Sequence, residues 1–327
     1  MKRTKKLLAG IIAATMMLSM STTAFAEPGS AQPAGDTITI YKNYSVSEGT
    51  AAPDESFTFD VVLDSHANVG GTPVTTLPTV TAADYNGTTE KMALTVTLPE
   101  YGNVGEYIYK ISEKAGNTAG VTYDEKAIYL KVTVVREDGA LKCYTAVHKG
   151  TAAGAKVAAD DSSFENTYTA GTLNVKKTVT GNMGDQAKEF TFNVKFTNPE
   201  GKVVNSDVSA NIAGTVDDGF TYAGASDEDG YTFQLAHDET AIFSNLPAGV
   251  TYVVTEAEAN EDGYETTYDN EEGIITEGSQ NVIVTNEKGS DEIDTGINMD
   301  SMPYILIFAG VVVIAAVMIV RRRRSDD

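Results

Sequence analysis

The sequence has a single cysteine, Cys143, no tryptophan and only three histidines among its 327 residues. One cysteine cannot form an internal disulfide, so an exported form of this chain needs another means of holding its fold together. Cys143 lies in a strand-like run, where it is expected to be a small buried apolar residue. The isolated histidines His66, His148 and His237 form no metal-binding or Ser/His/Asp spacing. We therefore expect neither an enzyme nor a metal or other cofactor.

Basic residues are also scarce, because 24 Lys and Arg stand against 46 Asp and Glu. With eight basic and three acidic residues at the chain ends set aside, 16 basic and 43 acidic residues remain, a net charge of about −27. No basic surface is then available to displace counterions from a phosphate backbone, which argues against nucleic acid as a partner. The acidic surface either suits a protein at an anionic cell wall or only keeps the chain soluble.

Long hydrophobic runs occur only at the two ends. Residues 1–26 read as a secretory signal peptide, with a basic start, the apolar run Leu7–Met20 and the cleavage site Ala24-Phe25-Ala26. We expect the mature chain to begin at Glu27. The alternative, that residues 7–20 are a membrane anchor, is disfavoured because this run is short for a span.

At the other end, the apolar run 302–320 has 19 residues, enough at about 1.5 Å per residue to cross a hydrocarbon core. The tail 321–327 begins with four arginines, which are retained on the cytoplasmic side. A transmembrane helix is therefore predicted at 302–320, with the bulk of the protein outside the cell.

Most of the region between these ends alternates apolar and polar residues with a period of two and is rich in Thr, Val, Tyr, Phe and Ile. Clusters of Gly, Asn and Asp separate the alternating runs. This pattern is typical of half-buried antiparallel strands in a sandwich or barrel. The sequence therefore predicts an all-β protein of immunoglobulin-like β-sandwiches.

The alternating region repeats itself. Each copy has an opening strand ending in Lys, then a Phe-Thr-Phe strand, a Gly-led aromatic strand ending in Glu, and a closing strand that runs into Asn. Two tandem domains are predicted, at 37–169 and 170–288, with a short stiff junction and a polar tether at 289–301.

Each domain carries Lys, Glu and Asn in the same order. The triads are Lys42, Glu113 and Asn166 in the first domain, and Lys177, Glu256 and Asn286 in the second. If the first and last strands are neighbours, the Lys and Asn side chains can meet on one face of the sheet.

These residue types suit one reaction. A neutral lysine amine can attack the Asn carboxamide and expel ammonia, which leaves an isopeptide bond. Burial among aromatic residues would lower the lysine pKa, and Phe57, Phe59 and Tyr107, then Phe190, Phe192 and Tyr252, could form that shell. A buried glutamic acid, Glu113 or Glu256, would stay protonated, polarise the carbonyl and shuttle protons. Surface lysines and asparagines at strand ends are ordinary, so the two matching triads carry the argument.

Several segments resemble the FctA-type streptococcal major pilins over nearly all of 37–296. They include the strands that end at Lys42, Glu113 and Asn166, and the run Asn245-Leu246-Pro247-Ala248-Gly249-Val250. The resemblance implies two sandwich domains, each with a Lys–Asn isopeptide bond. It assigns the second reactive lysine to Lys177, and alternation agrees because Leu173, Val175 and Lys177 share one face.

The segment Ile293, Asp294, Thr295 and Gly296 before the apolar run resembles a cell-wall sorting signal, although that family has Pro where this chain has Asp294. The resemblance implies that a sortase cuts after Thr295 and joins its carboxyl to a lysine of the next subunit. Lys156 best matches the family's acceptor position, and Lys149 is the second choice.

The expected function is a structural subunit of a covalently polymerised pilus, anchored to the cell wall. Its expected partners are a sortase, other copies of itself, peptidoglycan and accessory tip or base pilins. The alternatives are a monomeric wall-anchored adhesin of the same fold and a non-covalent surface module.

Overall fold

The structure, a computed structural model, describes residues 36–68, 74–87, 90–158, 161–217, 220 and 230–289. The signal peptide, the sorting motif from Ile293 to Gly296, the apolar run 302–320 and the arginine tail lie outside the described residues, so the expectations for them stay predictions. Over the described ranges, no helix has the length and apolar character needed to cross a membrane.

Two sets of β-strands make up the described chain, which confirms the all-β prediction. The first set is β1 Thr37–Val46, β2 Glu55–Phe57, β3 Phe59–Asn68, β4 Thr79–Val80, β5 Ala83–Tyr85, β6 Lys91–Thr97, β7 Gly105–Glu113, β8 Val121–Thr122, β9 Ile128–Glu137, β10 Ala140–Lys149 and β11 Ser163–Tyr168. The second set is β12 Ala170–Thr180, β13 Phe190–Thr197, β14 Ser209–Ile212, β15 Thr215–Val216, β16 Tyr231–Leu235, β17 Thr240–Pro247, β18 Thr251–Glu256, β19 Glu265–Asp269, β20 Glu272–Ile274 and β21 Gly278–Glu287.

Each set forms a two-sheet sandwich. In the N-terminal domain the strand orders are β4-β6-β1-β11-β8 and β10-β9-β7-β3, with a small β2-β5 ribbon beside them. In the C-terminal domain they are β15-β14-β17-β12-β21-β19 and β16-β13-β18-β20. We call the sheet with the first and last strands of a domain its Lys sheet, and the facing one its Glu sheet, after the triad residues that they carry.

The first and last strands of each domain are neighbours, as expected, but they run parallel rather than antiparallel. Strand β1 pairs with β11 so that Lys42 lies opposite Phe164 and Tyr44 opposite Asn166. Strand β12 pairs with β21 in the equivalent register, with Lys177 opposite Val284. The sheets are therefore mixed, and the Lys and Asn of each domain are diagonal neighbours on one sheet face.

Apolar residues that alternate with polar ones along the strands form two separate hydrophobic cores, one in each domain. Every second residue of β1 is buried, and β12 shows the same period. Cys143 lies fully buried in the N-terminal core, where burial raises the pKa of its thiol to about 11. It is therefore the small apolar residue that its strand context predicts, and an inert one.

The junction between the domains is closely bonded. Only Thr169 separates β11 from β12, and the buried side chain of Ala119 packs into the C-terminal core although it comes from the N-terminal domain. The Ala119 N–H donates to the Val203 carbonyl at 2.8 Å. The Asn245 side chain makes two hydrogen bonds to the backbone of Ala51. Its Oδ1 accepts from the Ala51 N–H at 3.1 Å, and its Nδ2 donates to the Ala51 carbonyl at 2.9 Å. These contacts join the two domains directly, and the stiffness of the junction stays a prediction.

We predict that Ala119→Asp destabilises the C-terminal domain, because it places a carboxylate in an apolar core. A penalty of about 3 kcal/mol would lower the unfolding temperature by roughly 10 °C in a domain of this size. Calorimetry of the mature chain measures this. Ala115→Asp is the matched control, since Ala115 is exposed four residues earlier in the same loop; equal unfolding temperatures for the two variants would contradict the prediction.

Candidate functional site: two buried Lys-Glu-Asn triads

The N-terminal triad joins the two sheets of its sandwich through the core. Lys42 occupies a position in β1 that alternation turns inward, between the buried residues Ile40 and Tyr44. Asn166, on the adjacent strand β11, is 1% exposed, and Lys42 is 0% exposed. Glu113 ends β7 in the Glu sheet, and its side chain is fully buried.

The Glu113 carboxyl group bridges the other two members of this triad. The Lys42 Nζ lies 2.8 Å from Glu113 Oε2, within ion-pair distance. The Asn166 Nδ2 donates to Glu113 Oε1 at 2.5 Å. One carboxyl group therefore holds the amine and the carboxamide side by side.

The C-terminal triad repeats this arrangement. The Lys177 Nζ donates to Glu256 Oε2 at 2.6 Å, and the Asn286 Nδ2 donates to Glu256 Oε1 at 2.6 Å. Lys177 and Asn286 are 0% exposed. The neighbouring Lys176 instead faces outward, 3.1 Å from Asp238 Oδ1, as alternation requires.

The aromatic shell is partly the one predicted. The Lys42 Nζ lies 4.8 Å from the centroid of the Phe57 ring, and the Lys177 Nζ lies 4.3 Å from that of Phe190 and 5.7 Å from that of Phe192. Ring faces at these distances attract a cation but cannot solvate it as water does.

Two of the predicted shell residues lie elsewhere. Tyr107 packs on Tyr101 at the far end of β7, and Tyr252 packs over Gly273. Because a strand rises about 3.3 Å per residue, positions four to six residues before the glutamate are roughly 13–20 Å away from it. Phe59 does flank its triad, because it lies directly opposite Glu113 in the β3–β7 pair and packs against Phe164, the partner of Lys42.

Burial shifts the pKa values of the two lysines and of Glu113 toward the neutral forms. Loss of water lowers the pKa of Lys42 and of Lys177 from the usual lysine value, against the opposing attraction of their glutamates. Loss of water also raises the pKa of Glu113, although Lys42 and Asn166 counteract it. A neutral amine beside a protonated carboxyl group is the state that nucleophilic attack on a carboxamide requires.

The two triads differ at the carboxamide oxygen. The Asn166 Oδ1 accepts a hydrogen bond from the Asp124 backbone N–H at 2.8 Å. The Asn286 Oδ1 is buried without a hydrogen-bond partner among the residues that the structure describes. The donor on the Asn166 carbonyl is thus a backbone group rather than Glu113, which instead contacts the carboxamide nitrogen. Sequence reasoning missed Asp124, because a backbone donor has no residue-type signature.

The two predicted acceptor lysines lie close together on the N-terminal domain. Lys149 ends β10 and is half-buried, whereas Lys156 is exposed and pairs across an isolated bridge with His148. The turn between them is fixed by a 2.8 Å hydrogen bond between His148 Nδ1 and the Gly154 carbonyl. Of the two lysines, Lys156 is thus the more accessible to another molecule, although both lysines lie at the same edge of the Glu sheet.

The chain forms two tandem sandwiches, and each holds a buried Lys-Glu-Asn triad beneath its first and last strands. These features define a class of β-sandwich protein that has the side chains for internal isopeptide bonds. Comparison with known proteins agrees. Residues 38–169 match the FctA family, described as a Spy0128-like isopeptide containing domain, and residues 171–288 match a domain of unknown function, DUF7601. The resemblance to the FctA-type streptococcal major pilins is therefore confirmed.

Individual relatives extend the match to most of the chain. A curated pilin from Streptococcus pyogenes serotype M1 is 27% identical over 320 residues, which cover 89% of this chain and 92% of the relative. The crystal structure of a major pilin from Streptococcus pyogenes is 25% identical with a TM-score of 0.52, and the match covers 78% of this chain and 99% of that one. The major pilin T3.2 from serotype GAS13637 of the same species, at 24% identity, a TM-score of 0.51 and coverage of 78% and 98%, shares the fold.

We predict that Glu113→Gln leaves Lys42 unreacted and makes stability rise with pH. The buried amine then has a lowered pKa and no carboxyl partner, whereas the unfolded chain holds that proton up to about pH 10.4. Between these two pKa values the unfolded state binds more protons. The free energy of unfolding therefore increases with pH, by up to about 1.4 kcal/mol per unit.

Urea unfolding between pH 7 and 10 measures this slope. The control is the double variant Glu113→Gln with Lys42→Met, which keeps every other titrating group and removes only the buried amine. A shared pH dependence in the two variants would contradict the lowered lysine pKa.

Proposed function

We propose that this chain is a structural subunit of a covalently polymerised, cell-surface pilus, in which each domain is locked by an autocatalytic Lys–Asn isopeptide bond. The single observation that carries the proposal is the pair of equivalent dry triads, one in each domain of a chain similar to streptococcal major pilins. Burying a lysine, a glutamate and an asparagine in each of two cores costs free energy, and a role in packing alone would not require it.

The proposed reaction happens once in each domain. The neutral amine of Lys42 or Lys177 attacks Cγ of Asn166 or Asn286, and the new C–N bond forms as the C–Nδ2 bond breaks. The glutamic acid protonates the departing nitrogen and receives the proton of the attacking one, so ammonia leaves and a neutral secondary amide remains. The chain supplies both reacting side chains, and each reacts once, so the chain is not an enzyme that turns over a substrate.

The bond would replace the disulfide that this chain cannot form. Joining β1 to β11, and β12 to β21, closes a loop around nearly a whole domain, and such a cross-link removes freedom from the unfolded state. An amide also cannot be opened by thiol–disulfide exchange, which can break a disulfide.

Polymerisation is the second half of the proposal. A sortase would cleave between Thr295 and Gly296 of the membrane-anchored precursor and pass the Thr295 carboxyl to Lys156 of the next copy, or to peptidoglycan at the base. Accessory tip or base pilins would join through the same chemistry. The exposure of Lys156 supports its choice over Lys149.

The intact mass of recombinant 27–295 tests the internal bonds. We expect a deficit of two ammonia molecules in the parent chain and of one in each of Glu113→Ala and Glu256→Ala, because each variant loses one proton shuttle. Glu106→Ala is the matched control, since Glu106 lies on the same strand as Glu113 but is paired with Lys131 at the surface. An unmodified parent mass would exclude the covalent mechanism.

Polymerisation is tested by gel electrophoresis of cell-wall extracts from the native host. We expect high-mass ladders with the parent and with Lys149→Arg, and loss of the ladders with Lys156→Arg, because arginine keeps the charge but is a poor nucleophile. Ladders that survive Lys156→Arg and vanish with Lys149→Arg would reverse the assignment. The absence of ladders in the parent would favour the monomeric adhesin.

A further inference from the structure

The Asn166 carboxamide is held by two partners of opposite kind. Its oxygen accepts from the Asp124 N–H at 2.8 Å, while its nitrogen donates to Glu113 at 2.5 Å. A backbone N–H can only donate, so this contact fixes which end of the carboxamide is oxygen. The orientation places the nitrogen, the group that must leave, against the carboxyl group that can protonate it.

The side chain of Asp124 holds the loop that presents this N–H. Its Oδ2 accepts from the Glu165 backbone N–H at 2.9 Å, next to Asn166 on β11. Its Oδ1 accepts from the Lys126 backbone N–H at 2.9 Å and closes a turn within the loop. The carboxylate therefore ties the loop between β8 and β9 to the strand that carries the reacting asparagine.

We propose that Asp124 serves isopeptide formation in the N-terminal domain: its backbone N–H stabilises the oxyanion on Asn166, and its carboxylate positions that N–H. This inference rests on the proposed internal bond and adds a group to it. When the Lys42 Nζ adds to Cγ, the carbonyl electron pair moves onto Oδ1, where the N–H already points. When Oδ1 reforms its double bond, the C–Nδ2 bond breaks and ammonia leaves, so no other reactant is needed.

The two domains differ in the strand that pairs with the strand carrying the reacting asparagine. In the C-terminal domain the partner strand β19 continues as a regular strand past the reacting residue, with Thr266 opposite Asn286. In the N-terminal domain the partner strand β8 ends at Thr122, so the loop that follows can turn its N–H toward the carboxamide. Since a pre-aimed donor lowers the barrier to a tetrahedral intermediate, the Lys42–Asn166 bond should form faster than the Lys177–Asn286 bond.

The experiment follows both bonds in the same molecules. The full chain is synthesised cell-free with detergent micelles, samples are quenched in acid over time, and each cross-linked peptide is quantified by mass spectrometry. We expect Asp124→Ala to slow the Lys42–Asn166 bond about tenfold or more, less than the 10²–10³-fold typical for complete removal of an oxyanion donor. The Lys177–Asn286 bond is the internal control and should keep its rate.

Two further variants separate this role from simple folding. Asp124→Asn retains an oxygen that can accept one of the two backbone bonds and should restore most of the rate. Replacement of the residue 124 backbone N–H by an ester oxygen, through an α-hydroxy acid, keeps the carboxylate and its contacts. It removes the donor and leaves every side chain in place, so it should slow the N-terminal bond by roughly 100-fold.

The outcomes are distinct. An unchanged N-terminal rate in the ester variant, with a protease-resistant domain, would overturn the inference and leave the proposed bond intact. If Asp124→Ala fails to fold, the ester variant decides. Cross-links in neither domain of the parent would overturn the bond itself and the role of Asp124 with it.

Discussion

The structure depends on the contact between one buried carboxyl group and two buried partners, an amine and a carboxamide. In water these groups would be solvated, and in a dry core each is costly unless it is paired or neutral. Burial moves Lys42 and Glu113 toward their neutral forms. An isopeptide bond would end the conflict, because one neutral amide replaces an amine and a carboxamide, so the packing that disfavours the unreacted triad also favours its reaction.

The fold places this contact by simple means. Alternation puts a lysine at an inward position of the first strand, and pairing with the last strand puts the asparagine one diagonal step away. The glutamate comes from the facing sheet, so the triad ties two sheets as well as two strands. Both domains use the same register, with Lys42 opposite Phe164 and Lys177 opposite Val284.

Much of this could be predicted from the sequence, because repetition and period-two patterning are local signals. They gave the all-β class, the two copies, the buried Cys143 and the inward side of β12, with Lys177 inside and Lys176 outside. The parallel pairing could not be predicted, since strand direction is decided by contacts far apart in the chain. Tyr107 and Tyr252 lie far from the triads, because four to six residues of extended strand separate them from the glutamates. The Asp124 donor is a property of the backbone rather than of a residue type.

The parallel pairing of first and last strands has a mechanical consequence. In the proposed pilus a subunit is pulled between Lys156 and its C-terminal end, and the start of β12 and the end of β21 lie at opposite ends of their pair, so this pull shears the two strands along their length instead of peeling them apart. Strand β11 would pass the load from Lys156 through Thr169 into β12, and a cross-link from Lys177 to Asn286 would route it straight into β21. Most of each sandwich would lie beside this load path rather than on it, so its loops would be free to vary in sequence without weakening the fibre.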